Sequence, residues 1–170
     1  MFCWHVEDLN MASMNYNHYG SPKFWYGIGK ADYKKFENFV KTRFPELFVE
    51  CNEFMRHKTL MINPYLLKKM MPELKIIKQV QRQGEFIITT QGGYHTGFNL
   101  GFNMAEAVNF CTPDWLSIFP KMRNCRCQKG NVHINQDLVY ENLSKCGLIS
   151  KEVQEEQVLQ GIREAHPESA

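Results

Sequence analysis

Short aromatic-rich segments, broken by glycine and proline turns, recur from residue 2 to residue 110. Residues 2–7 alternate, with Phe2, Trp4 and Val6 on one face of a strand and Cys3, His5 and Glu7 on the other. Residues 12–19 and 24–28 read as further strands, separated by a turn at Gly20-Ser21-Pro22. Residues 74–80, 85–90 and 104–110 continue the series, with Gln83-Gly84 as one turn. Gln91-Gly92-Gly93 is another, leading into Tyr94-His95-Thr96-Gly97-Phe98-Asn99. Many short strands with one helical insertion predict an all-β barrel or double-sheet core.

Helical spacing is confined to the insertion and the C-terminal part. Tyr33, Phe36, Phe39 and Val40 predict a helix over 30–43, capped by Asp32 and ended by Pro45. Asn63-Pro64 begins a short helix through Leu67, stopped by Pro72. Residues 113–123 read as a helix with Pro113 in its first turn. A short strand from Val132 to Ile134, a helix from about Asp137 and a polar helical tail over 150–165 complete the reading.

Bulk properties exclude several classes. A chain of 170 residues holds one domain and hardly two. Its net charge of +2, without a Lys/Arg block, gives no sign of direct sequence-specific DNA binding. No run of roughly 18 apolar residues exists, so no membrane span is expected. The start Met1-Phe2-Cys3-Trp4-His5 lacks the pattern of a signal peptide. In a reducing compartment the six cysteines are thiols or metal ligands rather than a disulfide frame.

His5-Val6-Glu7 carries the first chemical signal. On a strand, residues two apart point to one side, so an imidazole and a carboxylate converge. With a distant second histidine they make the facial set of non-haem Fe(II) oxygenases, which leaves open positions for a keto acid and dioxygen. His95, just after the Gly92-Gly93 turn, is the candidate. The bland alternative, a surface His beside a surface Glu, fits any single H-x-E. Strand-forming aromatic surroundings weigh against it, because a buried carboxylate needs a cation.

The ordered motifs resemble a known family. Phe2-Cys3-Trp4-His5-Val6-Glu7-Asp8, Met14-Asn15-Tyr16-Asn17-His18-Tyr19-Gly20-Ser21-Pro22-Lys23-Phe24-Trp25-Tyr26, Gly84-Glu85-Phe86-Ile87-Ile88-Thr89, Gly93-Tyr94-His95-Thr96-Gly97-Phe98-Asn99 and Asn103 to Phe110 resemble the core of JmjC histone lysine demethylases. The similarity covers about residues 2–140. It implies a mainly β fold with helical insertions: part of a double-stranded β-helix (jelly-roll, cupin-like) core over 1–119, a small α-rich zinc-binding segment over 120–147 and a polar tail over 148–170. It implies that His5, Glu7 and His95 bind iron, that Lys23 pairs with the distal carboxylate of 2-oxoglutarate and that Asn15 hydrogen-bonds this cosubstrate. Trp25 and Phe2 would wall its pocket, and Lys58 and Asn109 would line the oxygen and methyl-group side. Glu7's second oxygen is a candidate contributor to methylammonium recognition.

Cys51, His57, Cys125 and Cys127 supply three thiols and one imidazole, a closed four-ligand set of the structural zinc kind. Spacing alone leaves zinc and free thiols both open. Cys51 to Lys58, and Cys125-Arg126-Cys127 followed by Val132-His133-Ile134, resemble the zinc-bearing subfamily acting on trimethyl- and dimethyl-lysine of histone H3. Ala105 to Thr112 is nearer to the subfamily acting on lysine four, and Ala107 and Val108 replace a hydroxyl-bearing pair. Cys3, Cys111 and Cys146 read as plain thiols.

The implied activity is Fe(II)- and 2-oxoglutarate-dependent demethylation of a methylated histone H3 tail in nuclear chromatin, releasing formaldehyde and succinate. The alternatives are a JmjC protein hydroxylase and an inactive, truncated chromatin scaffold. The second is raised by the position of His5 so near residue one, with no counterpart for strands that precede it in the family.

Overall fold

A computed structural model describes residues 1–119, 125, 127 and 135–150. Strands β1 (Phe2–His5), β6 (Tyr94–Asn99), β3 (Lys23–Ile28) and β4 (Ile76–Gln81) form one sheet in that order. Strands β5 (Phe86–Thr89), β2 (Ala12–Gly20) and β7 (Asn103–Phe110) form a second. Every pairing between these strands is antiparallel. The chain changes sheet at every connection between consecutive strands except that from β3 to β4. This is the mainly β double-sheet architecture that the strand pattern predicts, and the jelly-roll-like form that the resemblance implies.

Helices α1 (Tyr33–Arg43), α2 (Glu46–Glu50) and α3 (Pro64–Met70) lie between β3 and β4 in sequence, and α4 (Gln136–Lys145) follows β7. Asn63 caps α3 by accepting from the Tyr65 amide, with Pro64 in the first turn. Asn135 caps α4 in the same way, accepting from Asp137 and Leu138. Among the described residues no helix is long and apolar enough to cross a membrane.

The four-stranded sheet has two unlike faces. Its outer face carries Trp4, Ile28 and Tyr94, which pack with Phe36, Val40, Leu67 and Leu74 from the helical insertion. The Trp4 ring lies 5.3 Å from Phe36, and its Nε1 donates to the Ile62 carbonyl at 2.8 Å. Its inner face presents buried Lys23, His5 and His95 towards β2, whose Ser13, Asn15 and Asn17 are also buried. One face thus supplies an apolar core and the other a polar interior. A second apolar cluster joins Leu9, Trp115, Phe119 and Tyr140.

Three details depart from the sequence expectations. A bulge lies in β1, where Phe2 pairs with Gly97 but His5 pairs with His95. The extra residue rotates Phe2 onto the side of His5, so Phe2 does not share a face with Trp4. The Gln83-Gly84 turn forms as expected and carries the chain from one sheet to the other, β4 pairing with β3 and β5 with β2. Asp32 sits at the start of α1 without capping it by a side-chain hydrogen bond; its carboxylate takes Lys35 Nζ at 2.6 Å instead. Residues Pro113–Ser117 form a 3-10 turn rather than the first part of a longer α-helix. The strand from Val132 to Ile134 and the tail from residue 151 lie outside the described residues.

Candidate functional site

His5 ends β1 and stands directly across the ladder from His95 on β6, with ring centroids 4.2 Å apart. Each ring is oriented by a backbone carbonyl: His5 Nδ1 lies 2.7 Å from the Cys3 oxygen, and His95 Nδ1 3.1 Å from the Gly93 oxygen. A carbonyl only accepts, so Nδ1 donates in both rings. In the neutral tautomer Nε2 then carries the lone pair, and a carbonyl that holds Nδ1–H in this way prepares a histidine to ligate a metal. Glu7 Oε1 faces both Nε2 atoms, at 3.3 Å from His95 and 3.9 Å from His5. Two neutral imidazole lone pairs and a carboxylate oxygen this close repel one another unless a proton or cation lies among them.

Electrostatics fit that picture. Burial, and next the charge of His95, bring His5 down to about 4, so its ring is neutral at pH 7. Burial alone would raise Glu7. With a proton rather than a metal between them, the hydrogen bond and charge of His95 Nε2–H, with the charges of His5 and Lys58, outweigh it and bring the carboxyl down to about 2. Asn109 Nδ2 reaches the other carboxylate oxygen of Glu7 at 3.4 Å. The donor atoms of His5, Glu7 and His95 all lie within 4.8 Å of one another, a set able to hold one metal ion.

Beside this cluster lies a polar recess. Lys23 is buried, and its Nζ donates to Asn99 Oδ1 at 2.6 Å, 5.9 Å from the Phe2 ring centroid. Burial lowers its pKa. A buried ammonium held by a neutral amide is a natural seat for a carboxylate. Asn15 Oδ1 is buried without a protein partner. An amide can turn to offer either oxygen or NH2, so this group too suits a polar ligand. The Phe2 ring packs at 5.0 Å on Trp25 and at 6.2 Å from His95. These residues fit an anionic, oxygen-rich cosubstrate next to a metal.

Two residues that the sequence reading left without a role hold the recess together. Gln81 is fully buried; it accepts from Trp25 Nε1 at 2.9 Å and donates to the carbonyls of Asn15 and Glu85, each at 3.0 Å. It ties the two sheets at the recess. Gly97 lies across from Phe2 and Trp25, where a Cβ would stand 2.6 Å from Phe2 Cζ and would also strike the Phe24 carbonyl. The glycine is what lets the Phe2 ring lie flat against β6.

Cys51, His57, Cys125 and Cys127 form a second cluster able to hold a metal ion. Sγ of Cys125 lies 3.6 Å from Cys51 Sγ, 3.1 Å from Cys127 Sγ and 3.0 Å from His57 Nε2. A tetrahedral zinc with bonds of about 2.1–2.3 Å has edges of roughly 3.4–3.8 Å, so the four atoms are gathered at or slightly inside that spacing. Burial raises Cys51 to about 12, with its hydrogen bond to Cys127 acting in the same direction. Burial would raise Cys125 as well, but hydrogen bonds from Cys127, Cys51 and His57 bring it down to about 6. Cys3, Cys111 and Cys146 belong to neither cluster.

Of the remaining predicted residues, Lys58 is exposed, directly follows His57 and exerts its charge on His5 and Glu7. Ala107 and Val108 are exposed on β7.

Comparison with known proteins agrees with this geometry. The family model described as JmjC domain, hydroxylase, matches residues 1–110. Lysine-specific demethylase 4D of Rattus norvegicus is 40% identical over 136 residues, covering 80% of this chain and 26% of that protein. Lysine-specific demethylase 4B of Mus musculus is 42% identical over 137 residues, covering 81% and 12%. Probable lysine-specific demethylase 4F of Homo sapiens is 39% identical over 136 residues, covering 80% and 21%. The chain therefore spans about a quarter or less of the length of these relatives.

Proposed function

This chain belongs to the JmjC-domain family, and from that premise we propose that it is an Fe(II)- and 2-oxoglutarate-dependent dioxygenase acting as a histone H3 lysine demethylase in nuclear chromatin. One observation carries the reading: His5, Glu7 and His95 bring two imidazole nitrogens and a carboxylate oxygen to one point, with both rings held in the ligating tautomer. A facial set of this kind suits Fe(II) and leaves positions open. When bound, iron with 2-oxoglutarate and dioxygen supplies the oxidising power to hydroxylate an N-methyl group, with release of succinate and formaldehyde.

The chain's own residues bind and orient. Lys23 pairs with the distal carboxylate of 2-oxoglutarate, where a compact ammonium with several donors fits. Asn15 turns its free amide to the same molecule. Phe2 and Trp25 wall the recess and keep water from it. Asn109 steadies Glu7 Oε2, which leaves Oε1 towards the imidazoles. Lys58 adds positive charge on the open side. Cys51, His57, Cys125 and Cys127 hold a structural Zn(II), since four protein ligands leave no open position for chemistry.

The test is formaldehyde and succinate release from a trimethylated histone H3 peptide with Fe(II), 2-oxoglutarate and ascorbate. Both products are expected, and both are lost in His95→Ala. Peptide-dependent succinate without formaldehyde would favour a JmjC protein hydroxylase. Neither product from a metal-loaded, folded chain would favour the scaffold reading.

A further inference from the structure

The 3-10 turn Phe54–His57 touches both clusters. His57 enters the thiol cluster through Nε2, 3.0 Å from Cys125 Sγ. Its neighbour Arg56 turns the other way. Arg56 Nη1 donates to the Glu7 carbonyl at 3.0 Å, Nη2 donates to Asn10 Oδ1 at 2.8 Å, and Nε meets the Glu53 carboxylate at 3.3 Å. The Arg56 side chain is only 10% exposed. One guanidinium thus clamps both ends of the segment from Glu7 to Asn10.

That segment needs a clamp. Leu9 (φ 53°) and Asn10 (φ 50°) are both left-handed, a conformation that consecutive L residues rarely adopt. Glu7 stands immediately before it, and the aim of its carboxylate follows from where this backbone is held. The planar fork of arginine reaches two acceptors at once, which a lysine ammonium on a flexible stem does not reproduce. The turn itself is only four residues long, and 3-10 geometry has poor hydrogen bonds of its own. Its position rests on Met55, buried in the main core, and on His57 in the thiol cluster. Trp4 adds a tie from β1, its amide donating to the Leu60 carbonyl at 2.9 Å.

We propose that Arg56 is a positioning residue that sets Glu7 for metal binding, and that through the Arg56–His57 step a metal in the thiol cluster strengthens binding at His5, Glu7 and His95. The inference rests on reading both clusters as metal sites. Linkage makes the effect reciprocal: whatever zinc does for the second metal, the second metal does for zinc.

The experiment uses the full chain and Mn(II) as the probe, because Mn(II) prefers carboxylate and imidazole to thiolate. The free Mn(II) signal in electron paramagnetic resonance gives the affinity, and metal analysis gives the zinc content. Zinc-loaded chain should bind Mn(II) at a site lost in His95→Ala. Arg56→Met should weaken Mn(II) binding by about tenfold or more, as loss of a group that orients a metal ligand does, with zinc content unchanged. Arg56→Lys should recover part of the loss. Removing zinc from the unaltered chain should weaken Mn(II) binding, and removing it from Arg56→Met should add little. Asn10→Gly keeps the left-handed backbone and deletes one acceptor of the clamp; it provides the reading if Arg56→Met does not fold. Mn(II) affinity of the folded variants within about twofold of the unaltered chain, less than the loss of a ligand-orienting group amounts to, overturns the proposal. So does an equal zinc effect with and without Arg56. Absence of any His95-dependent Mn(II) site in the unaltered chain sinks the metal reading beneath it, a result distinct from both.

Discussion

Gly97→Ala should damage this protein far more than an exposed glycine change does. The new Cβ would lie 2.6 Å from Phe2 Cζ, whereas ordinary contact begins at 3.4 Å, so the ring must retreat by about 0.8 Å (3.4 − 2.6). The Phe24 carbonyl, also struck, is backbone in the paired strand and cannot swing aside. Relief therefore requires β6 to move from β3. His95 lies two residues away on β6 and shares the inner face, so its ring shifts with the strand. Overpacking of this kind costs about 1–3 kcal/mol, which at roughly 2–4 °C per kcal/mol for a chain of this size lowers the melting temperature by about 2–12 °C. Gly29→Ala is the control: no atom stands within 4 Å of its Cβ and its φ is not left-handed, so it should be neutral or slightly stabilising. Thermal unfolding followed by circular dichroism gives the difference. Phe2→Ala removes the ring but not the Phe24 carbonyl, so Gly97→Ala should still destabilise in that background. If Gly97→Ala melts within about 1 °C of the unaltered chain, the close approach of β1, β3 and β6 does not exist as described.

Gln81→Leu leaves Trp25 Nε1 without its acceptor and takes one donor from the carbonyls of Asn15 and Glu85; at about 1–3 kcal/mol for the stranded indole N–H alone, the urea midpoint should fall by more than for a typical surface change. In zinc-loaded chain without added iron, acid should destabilise in two stages. His5 is held down to about 4 against 6.5 when unfolded, so the unfolded chain binds more protons and stability falls as pH drops through that window. Glu7, held down to about 2 from 4.5, continues the fall at lower pH. His5→Asn should flatten the upper part of the urea-midpoint profile, and an unchanged slope there would contradict the burial of a neutral ring. Cys125→Ser should lose bound zinc in metal analysis; unchanged zinc content refutes that site.

The strands were legible because aromatic and β-branched residues mark them at short range, and the two side-chain clusters because His5, Glu7, His95, Cys51, His57, Cys125 and Cys127 carry chemistry in their side chains. What stayed hidden depends on tertiary context. The bulge in β1 turns Phe2 towards His5, and strict alternation has no term for an inserted residue. The turn at Gln83-Gly84 was visible, but not that it leads from one sheet to the other, because periodicity reports a strand and not the sheet it joins. Gln81 reads as a polar surface residue at the end of β4; only the second sheet, closing over it, makes it a buried hub. Arg56 looks like any solvated arginine until folding brings it to the left-handed turn after Glu7, 49 residues away.

On the proposed function, His5, Glu7 and His95 hold one iron with room beside it for 2-oxoglutarate anchored by Lys23. Anaerobic addition of Fe(II) and 2-oxoglutarate to the chain measures this without dioxygen or a peptide, through the visible charge-transfer band of a keto acid chelated to iron. A band that needs both additions, vanishes in His95→Ala and requires more 2-oxoglutarate in Lys23→Met is the predicted result. A band that survives His95→Ala, or none at all from a folded chain, would contradict it.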